Sequence, residues 1–196
     1  MKLFSKLFAT IVIAMGLVTS ASAVDAAKVH KKRVTPQGLY LTAKEAASYI
    51  KKHQKEMLFV DIRTQAEVEY VGNAKLMDVN IPWHFKDFSK WDSKKHRFAD
   101  KPMNKNFVAD IQKALESKGL NKDSKIALIC RSGSRSTKAA KLLSENGYNN
   151  VYNIVDGFEG GKSKKTKHRS VNGWKNKAPK NSWGYKLDKA KMYGVN

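Results

Sequence analysis

Apolar residues along this chain fall into two kinds of stretch. Short unbroken runs read as buried strands: Met57-Leu58-Phe59-Val60 leading into Asp61-Ile62, Ile126-Ala127-Leu128-Ile129 after Lys125, and Val151-Tyr152-Asn153-Ile154-Val155. A further short strand is expected over 78–83, closed by Pro82. Between these runs apolar residues recur at helical spacing. Thr42-Ala43-Lys44-Glu45 is a capping box, and the helix it opens carries Ala46, Ala47, Tyr49 and Ile50 before a polar end at 51–55. Phe107, Ile111 and Leu115 lie four apart in an amphipathic helix over 104–118, capped by Gly119. Shorter helices are predicted over 63–70, where Arg63 and Glu67 are spaced to pair, and over 134–146, capped by Gly147. Helices alternating with short apolar strands predict an α/β fold: a central parallel sheet with helices on both faces.

Three segments stand outside this alternation. Residues 24–34 are polar and basic, and read as a flexible leader. Residues 84–102 are long, mixed and aromatic, with Phe85, Phe88, Trp91 and Phe98, and read as an elaborated surface loop packed on the domain more than as a lid. Residues 162–169 are strongly basic and read as an exposed insertion. The domain is expected over 35–175, with a tail over 176–196 packed on it through Trp183, Tyr185 and Tyr193.

The chemistry concentrates in Cys130-Arg131-Ser132-Gly133-Ser134-Arg135-Ser136, between the second strand run and the helix over 134–146. A helix N-terminus favours an anion by roughly 0.3–2 kcal/mol. Arg131 and Arg135 add permanent positive charge and charge-assisted hydrogen bonds. Ser132, Gly133 and Ser134 carry little bulk, so successive backbone N–H groups can turn inward as an anion cradle. Such a loop is suited to holding a sulfur anion. Asp61, at the end of its strand, is placed to face the same site.

Composition changes the picture in two ways. The chain opens with Met1-Lys2-Leu3-Phe4-Ser5-Lys6, an apolar run over 7–18 and Ala21-Ser22-Ala23. A basic start, a short apolar core and an A-x-A ending describe a secretory signal peptide over 1–23, cleaved after Ala23, with a bacterial periplasm as destination. The run is too short to span a bilayer comfortably, so no stable membrane insertion is expected after cleavage. Exported proteins that use cysteine for stability carry it in pairs. Cys130 is the only cysteine of the 196 residues, so it forms no internal disulfide and its retention points to reactivity. The formal charge of +21, to which Lys2 and Lys6 contribute two, fits small anions, acidic partner proteins, the anionic membrane face or a solvated lysine surface. Nucleic acid is not an expected partner of an exported protein. The histidines (His30, His53, His84, His96, His168) show no metal-ligand spacing, and neither metal nor cofactor is expected.

Four separated stretches in the right order carry a family resemblance. Phe59-Val60-Asp61-Ile62-Arg63, Glu67-Val68-Glu69-Tyr70 and Asn80-Ile81-Pro82 resemble the opening half of a rhodanese domain, and Ile129 to Ser136 resembles its active-site loop. Val151 to Phe158, with Gly173-Trp174, is similar to its closing strand and glycine-rich stretch. The whole looks like a single-domain periplasmic rhodanese of the thiosulfate sulfurtransferase type. The resemblance implies that Cys130 is nucleophile and persulfide carrier. It implies that the backbone from Arg131 to Ser136 cradles the persulfide, with Arg131 and Arg135 attracting a small anionic sulfur donor. It assigns Asp61 and Arg63 to support of the loop. A thiol, protein or cyanide acceptor then takes the sulfur.

The sequence departs from many members at Gly72-Asn73-Ala74, where a glycine-histidine pair is common. Related phosphatases and arsenate reductases place five residues between cysteine and arginine; here four separate Cys130 from Arg135, a smaller cradle that favours sulfur over a phosphoryl group. A persulfide carrier or partner-binding module without small-molecule turnover is the alternative from another class.

Overall fold

The computed structural model describes residues 24–195; the expected signal peptide over 1–23 lies outside them. Elements follow in chain order: β1 (Tyr40–Leu41), α1 (Ala43–His53), β2 (Met57–Asp61), α2 (Gln65–Val71), β3 (Asn73–Ala74), β4 (Val79–Asn80), β5 (His84–Asp92), β6 (Arg97–Met103), α3 (Phe107–Ser117), β7 (Lys125–Ile129), α4 (Ser134–Glu145), β8 (Val151–Ile154), α5 (Trp174–Lys177) and β9 (Trp183–Gly184). Five strands form one sheet in the order β1-β8-β7-β2-β4, and every neighbouring pair in it is parallel.

The two-residue period of a strand divides each central run between two cores. Met57, Phe59, Ala127 and Ile129 point to one face, where they meet Ala46 and Ile50 of α1 and Trp174 of α5. Leu58, Val60, Ile126 and Leu128 point to the other, against Phe107, Ile111 and Leu115 of α3 and Leu143 of α4. This double burial explains why the strands are continuously apolar. The capping box at Thr42 and Glu45 forms as expected. A second box opens α2, where Thr64 and Glu67 reciprocate across Thr64-Gln65-Ala66-Glu67, a signature present in the sequence.

Three expectations change. Residues 84–102 are no packed loop: β5 and β6 pair as an antiparallel hairpin, outside the main sheet. Its pairing slips twice, between His84 and Lys86 and between Asp87 and Trp91. The slips erase the alternation by which a hairpin is read from sequence. The basic leader is not a free arm. It makes two short 3-10 turns, and Arg33 Nη1 donates to the Val155 carbonyl at 2.7 Å. Arg63, spaced to pair with the Glu67 carboxylate, instead pairs with Asp61. The stretch over 162–169 is mostly exposed, with a single bridge between Lys162 and Arg169, and in the tail β9 pairs antiparallel with β3.

Because the sheet is parallel, β2, β7 and β8 all end at one edge. The chain leaving β2 carries Arg63, the chain leaving β7 carries Cys130, and the chain leaving β8 turns at Gly157. Asp61 and Arg63 are fully buried. Arg63 Nε lies 3.0 Å from both Asp61 carboxylate oxygens, and Nη2 lies 2.6 Å from Oδ2. The guanidinium also donates to the carbonyls of Gly72 at 2.8 Å and Glu67 at 3.3 Å, and lies 4.0 Å from the centre of the Phe158 ring. Removing one partner of a buried ion pair costs about 3–5 kcal/mol. Arg63→Met should therefore lower the unfolding free energy by about that amount in urea melts, and adding Asp61→Asn should return part of it.

Candidate active site

β7 delivers Cys130 to the sheet edge, and α4 begins at Ser134, so the loop between them is short enough to be set by its backbone. Gly133 is the N-cap of α4 with φ +88°, in the left-handed region, and a Cβ there would lie 2.1 Å from the Val155 carbonyl oxygen. Gly157, with φ +66°, presses on the loop from the opposite side: a Cβ there would lie 2.5–2.6 Å from Ser132 N, Arg131 C and Cys130 O. The N–H groups of Phe158 and Glu159 donate to the carbonyls of Cys130 and Arg131 at 2.7 and 2.9 Å. No side chain is needed to hold this part of the loop, and none would fit.

Cys130 is only 1% exposed. Its Sγ accepts the Gly133 N–H at 3.1 Å and lies 3.4 Å from Ser136 Oγ. Ser136 Oγ also contacts Gly133 O at 3.1 Å and Asn153 Oδ1 at 2.6 Å, and Asn153 Nδ2 donates to Thr137 Oγ1 at 3.0 Å. Thus α4, entering next to the sulfur, is registered to β8 by a buried polar network. Asn153 is a polar residue within an apolar strand run; that misfit is the signal by which it is detectable.

The two arginines of the loop do different things. Arg135 makes a two-pronged contact with Glu67, Nη1 to Oε2 at 2.7 Å and Nη2 to Oε1 at 2.6 Å. Burial would raise the Glu67 pKa, but the hydrogen bonds and charge of Arg135 outweigh it and hold the carboxyl down at about 2. Burial likewise opposes the charge of Arg135, whose pKa is nevertheless raised by Glu67 and, further off, by Cys130. Arg131 has no such partner, and its buried Nε is without a hydrogen bond.

Cys130 opens into a cleft of about 530 Å³. The loop residues Cys130, Arg131, Ser132, Ser134 and Arg135 line one wall, and Glu67 and Lys138 flank them. Trp83 and the β5–β6 hairpin, through His84, Lys86, Phe88, Arg97, Phe98 and Asp100, line the other. His84 Nε2 lies 3.2 Å from Asp100 Oδ1, and its pKa is lowered by burial and then by the nearby Arg135. Hydrogen bonding orients Lys86 and Arg97 toward Asp100, each at 2.5 Å. Arg169 belongs to the exposed stretch, yet its pKa is lowered by burial and by the charge of Arg131. Among the described residues no three His, Cys, Asp or Glu side chains gather as a metal-holding group.

The structure thus brings Cys130 to Ser136 together as one loop, with Gly133 and Ser136 touching the sulfur and Ser132, Ser134 and the two arginines lining its mouth. Asp61 and Arg63 stand behind it, reaching the loop through Phe158 and through Glu67, which holds Arg135. Sequence spacing did not reveal Glu67 as the partner of Arg135, nor the hairpin wall.

Comparison with known proteins agrees with this geometry. Residues 42–164 match the family model of the rhodanese-like domain. An uncharacterized protein of Rickettsia prowazekii, RP600, is 36% identical over 116 residues, spanning 59% of this chain and 75% of that protein. Its homologue in Rickettsia rickettsii is 35% identical over the same shares. The crystal structure of Rv0390 from M. tuberculosis superposes with a TM-score of 0.56 at 26% identity, over 75% of this chain and 97% of the other. With the matched residues spanning more than half the chain, and the parallel sheet, the cysteine loop and the Gly157 turn in one arrangement, the chain belongs to the rhodanese-like domain family and has the rhodanese fold.

Proposed function

We propose that this protein is a thiosulfate-type sulfurtransferase that works through a persulfide on Cys130. The observation that carries the reading is the environment of Sγ: it accepts an inward N–H from Gly133, lies against Ser136 Oγ near the start of α4, and opens into a cleft that Arg131 also lines. In the first step the Cys130 thiolate attacks the outer sulfur of a donor such as thiosulfate. A Cys130 S–S bond forms, the donor's S–S bond breaks, and its electron pair leaves with sulfite. In the second, a thiolate or cyanide attacks the terminal sulfur and the electron pair returns to Cys130. Splitting the transfer in two is nucleophilic catalysis, and thiolate character governs each exchange. Arg131 draws the dianionic donor in and holds its oxygens; Arg135 is committed to Glu67 and keeps α2 against the loop. The signal-like pattern over 1–23 supports action in a bacterial periplasm.

Incubation with thiosulfate and cyanide tests the reading by the thiocyanate formed. Turnover together with a gain of about 32 Da on Cys130 supports the enzyme. A stable adduct without turnover makes the protein a persulfide carrier, and an unmodified Cys130 overturns both. Cys130→Ser should abolish loading and turnover while leaving the melting temperature nearly unchanged. Arg131→Ala should raise KM for thiosulfate about tenfold, equivalent to ~1.4 kcal/mol, with a smaller change in kcat.

The Glu67–Arg135 pair gives a pH test. The folded pKa of Glu67 is depressed to about 2 against an ordinary 4.5. Its contribution to stability is therefore present above pH 4.5 and is lost as pH falls toward 2. Glu67→Gln should cost about 2–3 kcal/mol of unfolding free energy at pH 7, and the gap to wild type in urea melts should close between pH 4.5 and 2.

A further inference from the structure

The β5–β6 hairpin does more than wall the cleft. Phe88, Trp91 and Phe98 are 65%, 57% and 45% exposed. They stack edge-to-face, with ring centres 5.3 Å apart for Phe88–Phe98 and 5.6 Å for Trp91–Phe98. Three clustered aromatic rings on a solvent face mark a recognition surface more often than scattered apolar residues do. Phe88 and Phe98 also line the cleft, so the ridge runs without a break into the mouth above Cys130.

The charges around the ridge are unbalanced. Residues 84–103 carry six lysines and arginines against three aspartates. Asp92 is taken by Lys95, and Asp100 by Lys86 and Arg97. The third aspartate, Asp87, accepts from Ser89, and Lys90 and Lys101 lie near enough for their charge to help lower its pKa. Lys90, Lys94 and Lys101 join no direct ion pair among the described residues. Arg97 and Arg131 line the cleft and bring two further positive charges to it.

Resting on the sulfur-transfer reading of Cys130, we propose that this hairpin docks the sulfur acceptor, and that the acceptor is an acidic polypeptide presenting its thiol on an extended segment. Apolar side chains of the partner cover the aromatic ridge, and its carboxylates meet Lys90, Lys94 and the cleft arginines. Because Cys130 lines the cleft and is only 1% exposed, a projecting segment is needed to bring a thiol to it, which a flat bilayer does not offer. The seated thiol loses its proton to solvent, its sulfur attacks the terminal sulfur of the Cys130 persulfide, and the bond to Cys130 breaks with its electron pair returning to Sγ. The partner leaves as the persulfide.

Binding is tested apart from chemistry. A short labelled peptide rich in Glu and Leu, with Ser in place of its cysteine, is titrated into the full protein and followed by fluorescence anisotropy. It should bind; the same peptide with Lys for Glu should not; and Lys90→Glu, Trp91→Ser and Lys94→Glu combined should weaken binding about tenfold or more. That variant should keep thiocyanate formation from cyanide within about twofold, since none of the three residues lines the cleft. Equal binding of the two peptides, no effect of the triple variant, or a dimer that the triple variant dissolves would overturn the proposal. So would a shift of tryptophan fluorescence on anionic phosphatidylglycerol vesicles, lost in the variant, without peptide binding. With the cysteine restored in the peptide, the thiosulfate-loaded protein should pass its sulfur to the acidic form faster than to the basic one. Failure of Cys130 to load refutes the sulfur-transfer reading alone; peptide binding by anisotropy is judged without it.

Discussion

The active loop owes its shape to a contact between backbones. β7 and β8 are parallel neighbours, so the chain leaving β8 emerges beside the chain leaving β7 at the same end of the sheet. Gly157 makes the contact at a separation that excludes any Cβ, and the next two N–H groups take the carbonyls of Cys130 and Arg131. Phe158 then turns its ring under the Arg63 guanidinium, which Asp61 holds at the end of β2. Three strand ends are joined by one chain of contacts, and the sulfur sits where they meet. Backbone groups have few internal degrees of freedom, so a loop held this way loses little entropy when an anion binds.

The charges are arranged around that fixed frame. A permanently charged guanidinium beside a reactive sulfur can either bind substrate or be neutralised by the protein, and the two loop arginines divide these roles. Arg135 is held two-pronged by Glu67, a geometry that fixes orientation as well as charge. It therefore positions α2 against α4. Arg131 joins no ion pair among the described residues and lines the cleft, where its charge faces an incoming anion. A loop with both arginines free would bind its donor more strongly but would leave Glu67 as an unpaired buried charge, which costs several kcal/mol.

Much of this was legible in the sequence where a local rule is strong. Unbroken apolar runs gave β2, β7 and β8, the Thr42 box gave the start of α1, and spacing at Phe107, Ile111 and Leu115 gave α3. The cysteine loop was readable because small residues and arginines beside a lone thiol have no structural reason to occur together. What escaped is non-local. Glu67 has a near cation four residues back, but the fold gives that cation to Asp61 and brings Arg135 from far along the chain. The hairpin escaped because its two slips of register break the period that announces a strand.

The hairpin alters what the fold asks of a substrate. A small sulfur oxyanion, the proposed donor, needs only the cysteine loop and the Arg131 guanidinium beside it. The opposite wall, with Trp83, Phe88 and Phe98 beside Lys86 and Arg97, adds apolar surface and charge that such a donor does not use. Apart from Trp83, which packs on Phe107, those residues sit on a two-stranded element outside the main sheet, where exposed rings contribute little to folding and raise the risk of unwanted association. In the proposed reaction the donor half explains the loop but not this wall. The proposed acceptor half explains both, because a thiol carried by a larger molecule has to be recognised away from the sulfur it attacks.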